Sequence, residues 1–334
     1  MSSIGWDIGG VNVKVARVAG DGVVQALTES FSIEHDAERL SVVLERLGRD
    51  IGADGSGHAV TMTAELSQRF RTKAEGVGFV LDALARAFPG ASMQVLDTAG
   101  RFRTPADARA HPLEVSASNW TATAMVVAAE HPDSILIDMG STTTDIIPIE
   151  SGRVRALGRT DPDRLAAGEL IYTGAIRTPV EALVREVPWR GGMALVSADD
   201  FAHTGDVHLW LGTRLRTTHY EPDPLRPSRD RAGERLARVV CADRTMIDDD
   251  GITAIATHIA HAQVAAVAAA VAQVRSRHPR VMQAAVLGLG APIAERAARA
   301  TGLGILPLDS RWSDEASRAA PAVAVARLLE GLRG

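Results

Sequence analysis

Two stretches of the sequence decide the fold. Residues 4–18 read IGWDIGGVNVKVARV and residues 135–149 read ILIDMGSTTTDIIPI. In each, an apolar strand runs into an Asp-x-Gly turn of small residues, and a second apolar strand follows. The 131-residue offset that places Asp7 on Asp138 also places Gly9 on Gly140 and Lys14 on Asp145. We therefore predict two related half-molecules.

The residues between and after the two copies alternate helical and strand patterns. Residues 36–47, 76–87, 118–129, 252–277, 293–300 and 314–332 have helical spacing, and 60–63, 93–97 and 284–287 read as strands. This order indicates an α/β protein. We predict a first half over residues 1–117 and a second over 118–313, with an insertion at about 159–250 that contains a long loop near Pro222, Pro224 and Pro227. The helix at 314–332 is expected to pack back on the first half.

Composition excludes several classes of protein. The 334 residues are 46% hydrophobic and carry a net charge of −5, which argues against disorder and against nucleic-acid binding. Cys241 is the sole cysteine, so no internal disulfide forms, and the first residues lack a signal-peptide pattern. The apolar run 252–274 is interrupted by polar residues, which favours a buried helix over a membrane span. We expect a cytoplasmic protein, with both a monomer and a homo-oligomer open.

The turns have the composition of phosphate-binding sites. Backbone N–H groups reach a phosphate most closely where side chains are small, and threonine hydroxyls add donors. The candidate phosphate ligands are Gly9, Gly10, Asn12, Gly140, Ser141, Thr142, Thr143 and Thr144, with Gly288 and Gly290 in a third turn. Asp7 and Asp138 suit Mg²⁺, which takes one or two carboxylates beside phosphate oxygens, and Lys14 supplies a mobile charge. The alternative is that each Asp-x-Gly is an ordinary tight turn.

Together these segments resemble the phosphate-1, phosphate-2 and adenosine motifs of the actin, sugar-kinase and Hsp70 superfamily. The resemblance implies duplicated ribonuclease H-like domains with a central cleft. Residues 7–14, 63–66 with 73–77, 118–120, 138–148 and 168–179 resemble one branch more closely. That branch is the hydantoinase/oxoprolinase-like family associated with tetrahydromethanopterin-linked one-carbon metabolism.

This resemblance implies a small-molecule transferase. In that reaction the phenol of tyramine or γ-glutamyltyramine displaces pyrophosphate from an aminomethylfuran methyl diphosphate, in methanofuran or methylofuran biosynthesis, with Mg²⁺ as cofactor. The catalytic candidates are Lys14, Glu65, Lys73 and Asp145. Glu65 and Asp145 are alternative bases for a phenol whose ordinary pKa is near 10, and Lys73 would pair with the diphosphate or the phenolate.

Three alternative hypotheses remain open. The same fold supports an ATP-dependent kinase, an amidohydrolase of the hydantoinase/oxoprolinase type, and a nucleotide-gated binding module without catalysis. In the third turn Leu289 separates Gly288 from Gly290, a departure from the family's Gly-Gly pair that favours a diphosphate ester over ATP as the ligand. No feature predicts a nucleic-acid or membrane partner.

Overall fold

The computed structural model describes residues 2–20, 22, 24–215, 228–308 and 312–332. The predicted loop near Pro222, Pro224 and Pro227 lies outside these residues. The strands are β1 Ser3–Ile8, β2 Asn12–Val18, β3 Val24–Ser30, β4 Gly57–Met62, β5 Met93–Leu96, β6 Phe102–Arg103, β7 Ser134–Met139, β8 Thr144–Glu150, β9 Arg153–Val154, β10 Leu170–Ile171, β11 Glu186–Trp189, β12 Gly192–Leu195, β13 Gln283–Leu287 and β14 Gly304–Ile305.

The helices follow the apolar spacing in most segments. They are α1 Ile33–Asp36, α2 Leu40–Asp50, α3 Lys73–Ala87, α4 Pro105–Ala110, α5 Pro112–Val115, α6 Asn119–Glu130, α7 Asp161–Ala167, α8 Thr204–Trp210, α9 Arg229–Arg238, α10 Asp249–Arg277, α11 Ala291–Ala300, α12 Asp314–Arg318 and α13 Ala320–Gly331. Single 3₁₀ turns form at Ala37–Arg39, Ala64–Leu66 and Val180–Ala182. The predicted helix at 314–332 is thus divided into α12 and α13.

The chain divides into two compact units. Unit 1 comprises residues 1–134, 149–166 and 307–334, and unit 2 comprises 135–148 and 167–306. The sheet of unit 1 has the order β3-β2-β1-β4-β5-β6, with β1 antiparallel to β2 and parallel to β4. Both β1 and β4 are buried along their whole length, as expected of central strands covered on both faces.

The second sheet repeats this order with the second copy of the motif. Its strands run β10-β8-β7-β13-β14, with β7 parallel to β13 and β13 parallel to β14. Thus β8 and β7 occupy the places that β2 and β1 hold in unit 1. The predicted duplication of an α/β half-molecule is confirmed by this shared strand order.

The long helix α10 is a core helix of unit 2. By length and composition it could cross a membrane. Its residues Ile255 and Ile259 pack in one apolar cluster of unit 2, however, and Val267 and Val271 pack in the other. Asp248 caps its N-terminus by accepting a 2.9 Å hydrogen bond from Gly251 N, which satisfies one of the helix's terminal N–H groups.

The unit boundaries differ from those expected from the sequence. Helix α6 belongs to unit 1 instead of opening the second half, and residues 149–166 return to unit 1 after β8. Helix α13 also belongs to unit 1, where it packs on β1 so closely that a Cβ on Gly5 would lie 1.9 Å from Ala322 O. Unit 1 is therefore assembled from three separate pieces of chain.

Candidate active site

The first Asp-x-Gly turn joins β1 to β2 in unit 1. Gly9 N donates to Asn12 O at 2.9 Å, and a Cβ on Gly9 would lie 2.8 Å from that oxygen, so the turn requires glycine there. Antiparallel pairing places Asp7 opposite Lys14, with Lys14 Nζ 3.1 Å from Asp7 Oδ2. Asp7 is 3% exposed. Thus the seven-residue spacing between the two residues produces an ion pair beside the turn.

Glu65 lies close to this turn and is the most unusual carboxyl of unit 1. Thr63 N donates to Ile8 O at 2.9 Å, and the 3₁₀ turn that carries Glu65 begins at the next residue. The Glu65 side chain is 2% exposed, and neither carboxyl oxygen has a hydrogen-bond partner among the described residues. Burying a carboxylate without such partners is unfavourable, so the protonated form is stabilised.

Charges around Glu65 act in opposite directions on its pKa. Burial raises the pKa of Glu65 to about 7, and the Asp161 carboxylate adds to this rise. The backbone N–H of Glu65, the Lys73 ammonium and the N–H of Ala117 oppose it, the two N–H groups from positions near the carboxyl that do not meet hydrogen-bond geometry. Ala117 has φ 50, a left-handed conformation that is uncommon for residues other than glycine. Glu65 is therefore poised to gain or lose a proton near neutral pH.

Lys73 belongs to a group of half-buried and buried charged and aromatic side chains. Its Nζ lies 3.2 Å from Asp161 Oδ2, with the Lys73 side chain 23% exposed and that of Asp161 15%. Arg164, which is fully buried, places Nη1 3.9 Å from Asp161 Oδ1 and its guanidinium carbon 4.4 Å from the centre of the Trp120 ring. Lys73 is thus held by an ion pair and is not a solvated surface charge.

The second Asp-x-Gly turn repeats the first in unit 2. Gly140 N donates to Thr143 O at 2.9 Å, the same hydrogen bond 131 residues later as in the first turn. Asp138 lies in β7, opposite Leu287 of β13, and Asp145 lies in β8, opposite Leu170 of β10. The third turn meets the second: a Cβ on Gly288 would lie 2.5 Å from Asp138 Oδ1, and Gly290 N donates to Met139 O at 3.0 Å.

A loop that follows β10 packs against the second turn. Ala175 N donates to Gly140 O at 3.0 Å, and Ile176 N and Arg177 N donate to Ser141 O at 3.1 and 2.9 Å. A Cβ on Gly174 would lie 2.4 Å from Thr142 N, so only glycine permits this approach.

A buried polar network fixes the loop from behind. Gln263 Nε2 donates to Gly174 O at 2.8 Å and to Thr173 Oγ1 at 3.0 Å, while Gln263 Oε1 lies 2.7 Å from His208 Nε2. Burial lowers the pKa of His208, so the imidazole is neutral and donates from Nε2 to the Gln263 oxygen. Gln263 interrupts the apolar run of α10, and this network explains why a fully buried amide is retained there.

The predicted site residues fall into two sets, one in each unit. In unit 1 these are Asp7, Gly9, Gly10, Asn12, Lys14, Glu65 and Lys73, and in unit 2 they are Asp138, Gly140, Ser141, Thr142, Thr143, Thr144, Asp145, Gly288 and Gly290. Sequence reasoning missed Asp161, Arg177 and Gln263. Only Gln263 carried a signal, as an amide within an apolar helix, because the contacts of Asp161 and Arg177 depend on the tertiary structure.

The carboxylates of Asp7 and Asp138 have the chemistry for a metal ion that binds together with a phosphate. Within residues 2–20, 22, 24–215, 228–308 and 312–332, no three His, Cys, Asp or Glu side chains group to hold a metal by themselves. Mg²⁺ does not need such a cage, because it keeps several waters and binds one or two carboxylates beside substrate phosphates. Asp7, which is buried, and Asp138, which is half-buried, each lie beside a turn of small residues and have the chemistry for that role.

Comparison with known proteins identifies the family. The model of the hydantoinase/oxoprolinase family matches residues 56–331. The chain belongs to the hydantoinase/oxoprolinase family. Within it, the chain is 35% identical over 333 residues to the (4-{4-[2-(gamma-L-glutamylamino)ethyl]phenoxymethyl}furan-2-yl)methanamine synthase of Methanocaldococcus jannaschii, covering 98% of this chain and 97% of that one. The synthase of the same name from Methanococcus vannielii is 31% identical over 202 residues, covering 59% of this chain and 90% of its own.

A solved structure supports the fold of this family member. A nucleotide-free structure of acetone carboxylase aligns with a TM-score of 0.54 at 10% identity, covering 96% of this chain and 70% of that chain. At this identity the likeness concerns the fold alone. It supports the α/β fold described above.

Proposed function

We propose that this chain is a transferase of methanofuran or methylofuran biosynthesis that joins an aminomethylfuran to a tyramine or γ-glutamyltyramine. The observation that carries the proposal is the nearly full-length similarity to the synthase of Methanocaldococcus jannaschii. The compound in that enzyme's name contains a phenoxymethyl group on a furan. The bond made in such a synthesis is therefore the ether bond between a phenol oxygen and the methylene carbon on the furan.

Ether formation requires a leaving group on the furan methylene. In the proposed reaction the donor is an aminomethylfuran methyl diphosphate. The phenol oxygen attacks the methylene carbon, the carbon–oxygen bond to the diphosphate breaks, and pyrophosphate leaves with the electron pair of that bond. The phenol proton passes to a base of the protein, so atoms and charges balance without an oxidant or a reductant.

Glu65 is the base that the geometry of unit 1 favours. A general base is most effective when its pKa lies near the working pH, and burial raises the pKa of Glu65 to about 7. Both of its carboxyl oxygens are buried without a protein hydrogen-bond partner among the described residues, so neither is already committed to another group. Asp145, the other candidate base, lies in β8 opposite Leu170.

The leaving diphosphate needs positive charge and hydrogen-bond donors. In our proposal Lys14 supplies the charge, and the small-residue turns at Gly9–Gly10 and Gly140–Thr144 supply backbone N–H groups and hydroxyls. Asp7 and Asp138 would hold Mg²⁺, which when bound neutralises charge on the pyrophosphate. Lys73 would stabilise the phenolate while it remains paired with Asp161.

The test is a direct synthesis with the purified protein. Incubation with aminomethylfuran methyl diphosphate, γ-glutamyltyramine and Mg²⁺ should release pyrophosphate and the ether in equal amounts. An acceptor whose phenol is O-methylated is the matched control and should release none. Absence of both products with tyramine and with γ-glutamyltyramine would exclude the proposal. In a parallel incubation to which ATP is added, ATP consumption without ether formation would instead support the kinase or amidohydrolase alternative.

A further inference from the structure

The second Asp-x-Gly turn, which lies in unit 2, carries hydrogen-bond donors that have no acceptor among the described residues. Gly140 N is occupied by Thr143 O, whereas the backbone N–H groups of Ser141 and Thr142 have no acceptor among the described residues. The hydroxyls of Ser141 and Thr142 contact each other at 3.5 Å. A turn with several donors that lack an acceptor attracts an anion.

The backbone of Arg177 is hydrogen-bonded to this turn. Its backbone N donates to Ser141 O at 2.9 Å, so its side chain starts beside the donors. The loop is anchored on both sides of Arg177. Gly174 O accepts from Gln263 and from Thr204 Oγ1 at 2.9 Å, and Thr178 Oγ1 accepts from Gly174 N at 2.9 Å. The backbone that carries Arg177 therefore needs no reordering when a ligand binds.

The guanidinium of Arg177 differs from those of comparable arginines. Arg177 is half-buried, and its side chain has no hydrogen bond, ion pair or aromatic contact with any residue that the structure describes. Other half-buried arginines do contact an acceptor: these are Arg17, Arg103, Arg235, Arg275, Arg277 and Arg327. A guanidinium with five donors is rarely withdrawn from water without an acceptor, and it matches phosphate oxygens in a bidentate way.

We propose that Arg177 binds the diphosphate group of the donor, and the pyrophosphate product, together with the Ser141–Thr142 turn. This inference rests on the proposed function, since it assigns the residue that recognises the leaving group of that reaction. A planar fork of two N–H donors contacts two phosphate oxygens at once, which a compact ammonium does not. Because pyrophosphate carries more negative charge than phosphate, the loss of this guanidinium should weaken pyrophosphate binding more than phosphate binding.

Calorimetric titration tests this assignment without turnover. Inorganic pyrophosphate with Mg²⁺ is titrated into the wild type, Arg177→Met and Arg177→Lys, with inorganic phosphate as the second ligand. We expect Arg177→Met to weaken pyrophosphate binding at least tenfold and Arg177→Lys to restore part of it. Phosphate binding should change less. The matched control is Arg185→Met, which removes an exposed arginine of the same unit whose side chain makes no hydrogen bond or ion pair with a described residue, and it should change affinity less than twofold.

The outcomes separate this inference from the proposed function. Unchanged pyrophosphate affinity in both Arg177 variants, with melting temperatures like the wild type, overturns the role of Arg177 even if ether synthesis persists. A wild type that makes the ether but binds no pyrophosphate also overturns it. Loss of pyrophosphate binding in Arg177→Met, in a protein that makes no ether, supports the anion site and rejects the synthase. If Arg177→Met does not fold, the pyrophosphate affinity of Arg177→Lys is the test. A weakened affinity supports the role of Arg177, and an unchanged affinity overturns it.

Discussion

Lys73 Nζ lies 3.2 Å from Asp161 Oδ2, although the two residues are 88 positions apart in the sequence. Both charges act on the buried Glu65 carboxyl, Lys73 by favouring its ionised form and Asp161 by opposing it. If Glu65 is the base, replacing each partner should move the acid limb of the kcat/KM profile in opposite directions.

The first prediction concerns these opposite shifts. Asp161→Asn removes a negative charge, so the pKa of Glu65 falls and the acid limb moves to lower pH by about one unit. Lys73→Met removes a positive charge, so the limb moves to higher pH by a similar amount. The measurement is kcat/KM from pH 5 to 9 for the wild type and both variants. Two shifts in the same direction would show that Lys73 and Asp161 do not control the pKa of Glu65 through their charges.

The second prediction concerns stability and needs no substrate. The pKa of Glu65 is raised from 4.5 to about 7, so the folded state holds this proton more tightly than the unfolded chain. The stabilisation is fully present below pH 4.5 and is lost as pH rises through about 7. Relative to Glu65→Gln, the wild type should therefore lose up to about 3 kcal/mol of unfolding free energy across that window.

Urea unfolding at pH 5 and pH 8 measures this difference. Glu65→Gln keeps the shape of the side chain but cannot titrate, so the difference between the two proteins isolates one proton. If the difference in unfolding free energy between the two proteins is the same at pH 5 and pH 8, the pKa of Glu65 is the same in the folded and the unfolded protein, which would contradict the prediction. The same variant should lose most of its synthase activity, because an amide cannot accept the phenol proton.

The third prediction concerns Lys14. Lys14→Arg keeps the charge, yet a planar guanidinium does not fit the 3.1 Å contact with Asp7 as a compact ammonium does. We expect kcat to fall about tenfold or more, which corresponds to roughly 1.4 kcal/mol or more of activation free energy. Arg17→Lys on the same strand, where Arg17 contacts Ile51 O, is the control and should retain turnover. Wild-type kcat in Lys14→Arg would contradict a role for the ammonium.

The fourth prediction uses two glycines of the same helix, α3. A Cβ on Gly76 would lie 2.5 Å from Glu65 Cα, whereas a Cβ on Gly78 would meet only Arg109 Nη1 at 3.3 Å. Gly76→Ala should therefore displace the turn that carries Glu65 and lower activity. Gly78→Ala should keep activity and add up to about 1 kcal/mol of stability from helix propensity. Equal activity in the two variants would show that the position of Glu65 is not critical.

The sequence predicted the repeated half and its turns because they depend on local order. The Asp-x-Gly pattern fixes a strand, a turn and a returning strand, and the same turn hydrogen bond forms at Gly9 and at Gly140. Helices α3, α6, α10 and α11 follow apolar spacing and lie within about three residues of the predicted positions.

Other features could not be inferred because they depend on contacts between distant residues. Nothing near Asp161 indicates that it meets Lys73, and nothing near Arg177 indicates that its backbone pairs with Ser141. The path of residues 149–166 back to unit 1 was also missed, since β8 continues as a single strand across the boundary between the units.

The three-piece construction of unit 1 has a consequence for synthesis on the ribosome. Residues 307–332 emerge after all of unit 2, yet α13 covers β1, where Gly5 permits the closest approach. Domains usually fold in order of their emergence. Here β1 waits for a helix that is made after unit 2, so unit 2 is able to fold while the sheet that holds Asp7 and Lys14 still lacks the cover of α13. Nascent chains lacking α13 should depend on chaperones to protect that sheet.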